Sequence, residues 1–275
     1  MIELPEAIVL GQQINDALAG KTVKNVFDAT SINKFVFFNG DPLAYGKLLS
    51  GRRIISAKGS GIFADIRFDN EITLSICDGI KPLYGTDISS APQKYQLLMV
   101  FDDNSFLAFG VAMYGGLFAY RGKLENDYHE KSFNRVSPIS GNFTRDYFED
   151  CLETEKGILT LKAFLATGQR FPGIGNGVLQ DILFKAGLHP KRRLGGLTGK
   201  EKDELYNSVV NVLSEMVAKG GRDTNVDLFG NKGGYRTILS KDTYSKPCPR
   251  CGGKMEKENH MGGSIYYCPC CQPLK

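Results

Sequence analysis

The chain has 275 residues, 42% of them hydrophobic and 23% charged, an ordinary globular composition with room for two domains. It has no run of eighteen apolar residues, and its acidic start lacks a basic segment followed by an apolar one. Neither a membrane span nor a secretory signal is therefore expected, and the expected location is cytoplasmic. The net charge of +4 is uneven, with 14 basic and 15 acidic residues in 1–140 against 20 and 15 in 141–275. That asymmetry suits a C-terminal half that meets a polyanion, and it suits ordinary solvated faces equally well.

Pro5 can occupy the first turn of a helix through "EAIVLGQQINDALAG", with Ala7, Ile8, Ile14, Ala17 and Leu18 as the apolar face and Gly20 as the stop. To about residue 137 strand-like pieces then dominate: "TVKNVFDAT", "NKFVFFNG", "RRIISAKG", "GIFADIRFD", "EITLSIC", "QLLMVFDD", "SFLAFGVAMYG" and "LFAYRG". They alternate, are rich in β-branched and aromatic residues, and predict a β-sandwich or barrel. From about 144 the period becomes helical. "TRDYFEDCLETEKGILTLKAFLATG" starts at a Thr cap, "GVLQDILFKAGL" ends near Gly187, and "TGKEKDELYNSVVNVLSEMVAKGG" opens on a Thr198/Glu201 capping box. The expected order is a β domain over 1–137 with a leading helix, a helical domain over 138–240, and a cysteine module over 241–275.

Cys77 and Cys151 are isolated and read as small core residues, whereas the other five cysteines crowd into the last 28 residues. Cys248-x2-Cys251, sixteen residues, then Cys268-x2-Cys271 is the spacing of a four-thiolate zinc site in which each knuckle donates a pair. Cys270 is a spare, and a Cys268/Cys270 pair is the less suitable alternative. Four thiolates leave no open position for water, so the expected zinc is structural, and metal binding supplies the folding energy of so small a ribbon.

"FPGIGNGVLQDILFKAGLHP" lies between two helical patterns. Its glycines, Gly175 among them, allow close backbone approach, and the next helix can turn its N-terminal amides to an anion. Asn176 can donate its amide to a phosphate oxygen. A tight interhelical turn with no ligand explains the same residues. A dinucleotide fingerprint is a poor fit, because no strand leads in.

"ELPE" at the start, a β domain, "PGIGN…LFKAGLHP" and a ribbon ending "YYCPCCQ" occur together in one group of proteins. Over its whole length the chain resembles the Fpg/Nei family, the formamidopyrimidine-DNA glycosylases and endonuclease VIII proteins. The resemblance implies an α+β multidomain fold: an N-terminal β-sandwich with a leading helix, a helix-two-turn-helix domain and a C-terminal zinc ribbon, with duplex DNA in the cleft. It implies extrusion of a damaged nucleotide, attack of an N-terminal proline amine on the sugar, and strand cleavage by elimination. An α-amine suits that role because its pKa, near 8, leaves a useful fraction unprotonated. The family's catalytic glutamate falls on Glu3 and the second acid of the motif on Glu6. Its phosphate-gripping asparagine falls on Asn176, a DNA-reaching lysine on Lys162, and the zinc ligands on Cys248, Cys251, Cys268 and Cys271.

Six positions depart from the family pattern. Ile2 replaces the nucleophilic proline, and its bulk is expected to keep Met1, whose amine then stands one residue further out. The family's β-domain lysine aligns with Ile62, although Lys58 is only four residues away. The ribbon's hairpin arginine aligns with Gly263. Cys77 stands where a gap-filling methionine often sits, and Tyr114 and Gly115 replace a gap-filling arginine and phenylalanine. Three readings follow. The first is a monomeric DNA repair protein that binds damaged or abasic DNA through Lys162, Asn176, Gly175 and Lys58 but has an altered site. The second is an active glycosylase or abasic-site lyase that uses the Met1 amine with Glu3, or Lys58. The third, which the turn argues against, is a zinc-ribbon protein that acts on RNA or protein. The glycine-rich "DLFGNKGGYRT" is a candidate loop around the flipped base.

Overall fold

The computed structural model describes residues 1–31, 33–155 and 157–275. The leading helix is α1 (Leu4–Leu18), with Pro5 in its first turn. Strands β1 (Val23–Asp28), β2 (Val36–Phe38), β3 (Ile54–Ser60), β4 (Phe63–Phe68), β5 (Ile72–Gly85), β6 (Leu97–Phe101) and β7 (Phe106–Arg121) follow. They form one hydrogen-bonded path, β1-β6-β7-β5-β4-β3, with β2 parallel to β7. The expected sandwich is thus a single sheet whose two long strands run through both halves. β5 pairs with β7 on either side of a bulge between Asp78 and Ile80. Bulges bend strands in this way. The inner faces of β4, β6 and β7 meet in one apolar cluster that includes Ile66, Phe68, Met99, Phe101, Leu107 and Phe109.

Two strand expectations need correction. "EITLSIC" runs on past Cys77 to Gly85, through Gly79 and Pro82. "SFLAFGVAMYG" and "LFAYRG" are one strand, because Gly115 and Gly116 stay paired to Asp78 and Cys77. Two helices interrupt the supposed all-strand stretch. These are α2 (Tyr45–Leu49) and α3 (Asp127–Asn134), the latter capped by the Asn126 side chain.

The helical part follows the sequence pattern closely. It comprises α4 (Arg145–Thr154), capped by Thr144, α5 (Leu161–Ala166), α6 (Asn176–Ala186), closed by Gly187 in the left-handed region, and α7 (Gly199–Ala218). Position 156 of the predicted helical stretch lies outside the described residues. The Thr198/Glu201 capping box is present, and Leu205, Val209, Val212, Leu213 and Met216 are buried while Val217 is half-buried. The hairpin β8 (Glu256–His260) and β9 (Gly263–Tyr267) completes the chain. Among the described residues no helix is long and apolar enough to cross a membrane.

Helix α1 serves both large cores. Ala7, Leu10, Ile14 and Leu18 join the sheet cluster, whereas Leu4 joins the helical cluster and Ile8 packs against it. Ile8 therefore leaves the single apolar face expected of it. The helix crosses β3 at backbone contact. A Cβ on Gly59 would stand 1.7 Å from the Ala7 carbonyl oxygen, and one on Gly11 would stand 2.1 Å from the Gly59 nitrogen. This crossing fixes how the N-terminal segment is aimed at the helical part.

Candidate functional site

The first residues are stitched between the two cores. The Ile2 amide donates to the Asp78 carbonyl at 2.6 Å, and the Leu4 amide donates to the Gly173 carbonyl at 2.9 Å. Asp78 sits at the β5 bulge with φ +55, and Ile2 is buried in the sheet cluster. Glu3 is consequently aimed at the start of α6. Its carboxylate accepts from Gly177 N at 2.8 Å and Val178 N at 2.7 Å. The anion that the N-terminus of α6 receives is thus the chain's own glutamate, which caps the helix from 174 residues away.

The glycine turn has the same explanation. A Cβ on Gly175 would stand 2.5 Å from a Glu3 carboxylate oxygen, and one on Gly177 would stand 1.9 Å from Arg222 Nη1. Gly173, at φ +81, would collide with the Gly61 carbonyl. These glycines admit intramolecular partners, whereas the sequence pattern suggested a ligand's approach.

Arg222 was not visible in the sequence reading. It is buried and forms two bonds to Glu6, Nε to Oε1 at 2.9 Å and Nη2 to Oε2 at 2.7 Å. Its Nη1 lies 3.2 Å from Glu3 Oε2, and its Nη2 donates to the Met1 carbonyl at 3.4 Å. One guanidinium therefore fixes both acids of the N-terminal motif. Burial alone would raise the Glu6 pKa, but the charge and hydrogen bonds of Arg222 hold it below the usual carboxylate value. The Met1 amine donates to Asn225 Oδ1 at 3.0 Å. Its pKa is lowered, first by burial and then by Arg222, with Glu3 and Glu6 pulling the other way.

A second group of residues assembles on α6. Asn176, Gln180 and Phe184, spaced one turn apart, all face the β8–β9 hairpin. Asn176 Nδ2 donates to the Ser264 carbonyl at 2.9 Å, and Gln180 bonds both Ser264 O and Tyr266 N. Phe184 joins a small cluster with Cys248, Met255, Tyr266 and Cys268. The ribbon therefore borrows its core from α6. Lys162 is buried and donates to the His260 carbonyl at 2.6 Å. At the hairpin turn a Cβ on Gly263 would meet Lys162 Nζ at 3.4 Å and the Asn176 amide at 3.7 Å. The fold thus brings Lys162 and Asn176 to one point, with the bare Gly263 between them and Asn176 Oδ1 buried without a partner among the described residues.

The sulfur atoms of Cys248, Cys251, Cys268 and Cys271 lie within 4.8 Å of one another. Cys248 and Cys271 are 3.8 Å apart, and Cys251 and Cys268 are 3.5 Å apart. Tetrahedral coordination with Zn–S near 2.3 Å requires sulfur separations of roughly 3.8 Å. The donor set fits a metal, and Cys270 stands exposed outside it.

Other expected residues stay apart from these groups. Lys58 is exposed on β3 opposite Asp65, and among the described residues it makes no hydrogen bond or ion pair to Met1, Glu3 or Asn176. Ile62 lies in the β3–β4 turn beside Gly61, which abuts Gly173. Burial and the neighbouring Asp78 push the Cys77 thiol far up, so it is no nucleophile. "DLFGNKGGYRT" is pinned to the sheet, with Leu228 in its core and Phe229 edge-on to Tyr84. Arg222, Asn225, Asp78 and Gln180 carry no local signal in the sequence, because no local spacing marks a partner that lies far along the chain, 216 residues away for Arg222 and 84 for Gln180.

No family model matches the chain. A formamidopyrimidine-DNA glycosylase of Bacillus cereus is 26% identical over 281 residues, covering 99% of each chain. The MutM (Fpg) protein of Thermus thermophilus superposes with a TM-score of 0.79 at 24% identity, over 99% of both chains. Lactococcus lactis Fpg, solved with an abasic site containing DNA, superposes with a TM-score of 0.84 at 20% identity, over 98% of this chain and 99% of that one. Over its whole length the chain is thus similar in sequence to formamidopyrimidine-DNA glycosylases, and it has the Fpg/MutM fold from end to end, through the N-terminal sheet, the helices and the four-cysteine ribbon.

Proposed function

We propose that this is an Fpg-like DNA repair protein that binds duplex DNA carrying a damaged or abasic nucleotide, with an altered catalytic segment. The observation that carries this reading is the convergence of Lys162 and Asn176 at Gly263. A cation and an amide that meet at an exposed hairpin can grip one backbone phosphate, and phosphate contacts position a protein on DNA. Relatives that match over the full length are formamidopyrimidine-DNA glycosylases, and one solved neighbour holds DNA with an abasic site. Zinc on Cys248, Cys251, Cys268 and Cys271 would be structural, keeping the hairpin against α6.

The alteration lies at Ile2. Its nitrogen is an amide tied to Asp78, and an amide has no free lone pair for attack on a sugar. Glu3 remains, held by α6 and Arg222. The test is fluorescence anisotropy with duplexes that carry an abasic-site analogue, set against the same duplex undamaged. Preference for the damaged duplex with no strand cleavage supports the reading. Equal affinity for both duplexes would sink it.

A second reading is favoured by the lowered basicity of the Met1 amine, which leaves more of it neutral near pH 7. Its lone pair could bond to the aldehyde carbon of an opened abasic sugar, with the carbonyl oxygen leaving as water. Borohydride trapping, with mass spectrometry of the N-terminus, decides it. A reduced adduct on Met1 establishes the lyase, and its absence in a protein that binds the DNA rules it out.

A further inference from the structure

Most large apolar side chains in this fold are buried, but four exposed ones gather at the edge strand β2 and the adjoining turn of β7. Phe35 is 53% exposed, Phe37 57%, Met113 69% and Tyr114 38%. Register explains why they share a surface. Val36 pairs with Gly115 and Phe37 with Gly116, and the Gly115 amide donates to the Phe35 carbonyl at 3.1 Å. Side chains alternate along a strand, so Val36 enters the core while Phe35 and Phe37 both turn outward. Beside Phe37 the place of a Gly116 side chain is taken by the Phe118 ring and the Cys77 sulfur, which a Cβ on Gly116 would meet at 2.3 Å and 2.7 Å. Cys77 is the partner of Gly116 on β5, and the next residue, Asp78, holds the Ile2 amide. The aromatic row therefore leads along the outer face of the sheet toward the N-terminal segment.

An exposed aromatic edge strand is an aggregation hazard that soluble proteins normally suppress with charge or cover. Its retention calls for an occupant. The adjoining groove, about 680 Å³, is lined by Lys34, Lys94, Asn33 and Gln96 together with Phe35, and among the described residues no acid lines it. Lys34 Nζ lies 5.3 Å from the Phe35 ring centre. Flat rings beside two cations match a strand that offers bases on one side and phosphates on the other.

We propose that Phe35, Phe37 and Tyr114 form a stacking platform for unpaired nucleobases of bound DNA, with Lys34 and Lys94 taking the adjoining phosphates. The proposal rests on the DNA-binding reading above and adds to it the part of the DNA engaged: bases freed from the duplex next to the damaged position. Stacking has little sequence preference, because every base has a π face.

The experiment measures the affinity of the intact protein for three DNAs: a fully paired duplex, the same duplex with a single-nucleotide gap, and a single strand. The platform is removed by Phe35→Ala/Phe37→Ala and the cations by Lys34→Ala/Lys94→Ala. Both sets are exposed, and circular dichroism checks the fold. Alanine at a stacked base costs roughly fivefold to 150-fold in affinity. The double phenylalanine variant is expected to lose about tenfold or more on gapped and single-stranded DNA, and under twofold on the paired duplex. The double lysine variant should reduce the salt slope of log K by about two. Equal losses on all three DNAs, or no loss in a protein that binds gapped DNA, overturns the platform. Self-association of the wild type that the phenylalanine variant abolishes assigns the surface to a second copy and overturns it as well. A wild type that binds no DNA refutes the DNA-binding reading itself, a result distinguishable from the others.

Discussion

Replacing Arg222 by methionine tests the N-terminal architecture most directly. Arg222 is 4% exposed, and its guanidinium holds Glu6 through two bonds, Glu3 through a 3.2 Å ion pair, and the Met1 carbonyl. Methionine fills comparable space but leaves two buried carboxylates unpaired. Breaking a buried pair from one side costs about 3–5 kcal/mol. For a chain near this size, about 2–4 °C per kcal/mol translates that into a drop in Tm of roughly 6–20 °C. The deficit should depend on pH. In the native protein the Glu6 pKa is depressed, so its contribution is present above the unfolded value of 4.5 and fades as pH falls through the folded one. Without Arg222 burial dominates and raises the Glu6 pKa, so the variant recovers as Glu6 takes a proton. Thermal unfolding followed by circular dichroism at pH 7 and pH 4.5 should show the gap narrowing at the lower pH. Glu3→Gln/Glu6→Gln/Arg222→Met should regain much of the loss at pH 7, because no unpaired charge remains. A deficit under about 1 kcal/mol at pH 7, or one equal at both pH values, would refute the argument.

Further expectations concern the ribbon, the phosphate grip and the helix crossing. Cys251→Ser should abolish stoichiometric zinc and detach the hairpin from α6, whereas Cys270→Ser should keep one zinc per chain; metal analysis of the purified variants distinguishes them. Lys162→Met should weaken DNA binding across sequences and lower the salt slope by about one, read by anisotropy over a salt series. Asn176→Ala should also weaken binding without regard to sequence, and unchanged affinity would exclude it from the phosphate grip. Gly59→Ala must push α1 off β3 and should cost at least the roughly 1–3 kcal/mol of an overpacked core, seen as a lower urea midpoint with an unchanged m-value.

The four-cysteine cluster, the capping box of α7 and most strands were legible in the chain itself. In each case the signal is local: a two-residue knuckle, a three-residue cap or an alternation of period two. The errors in the strands have a common cause. Gly79, Pro82, Gly115 and Gly116 punctuate a sequence locally, but a central pair of long strands can absorb them at a bulge where partner backbones hold the ladder. The helix α3 was hidden because its exposed residues carry no apolar period and only the Asn126 cap marks it.

The site divides along the same line. From the sequence, the cysteine spacing singled out the four cysteines, the glycine turn singled out Asn176, and the family resemblance alone pointed to Glu3, Glu6 and Lys162. Only the tertiary structure decided what holds them. Glu3 caps a helix 174 residues away, Arg222 pairs with Glu6 across 216 residues, and Lys162 reaches a hairpin 98 residues on. The purpose of the glycine turn likewise changed once the fold was known. Its missing side chains make room for Glu3, Arg222 and the β3–β4 turn, contacts that exist only after the sheet and the helices have docked on either side of α1. The physical reason is that motif spacing encodes what a chain can do within a few residues. Desolvated ion pairs and backbone-to-backbone approaches depend on which distant surfaces the hydrophobic cores bring together.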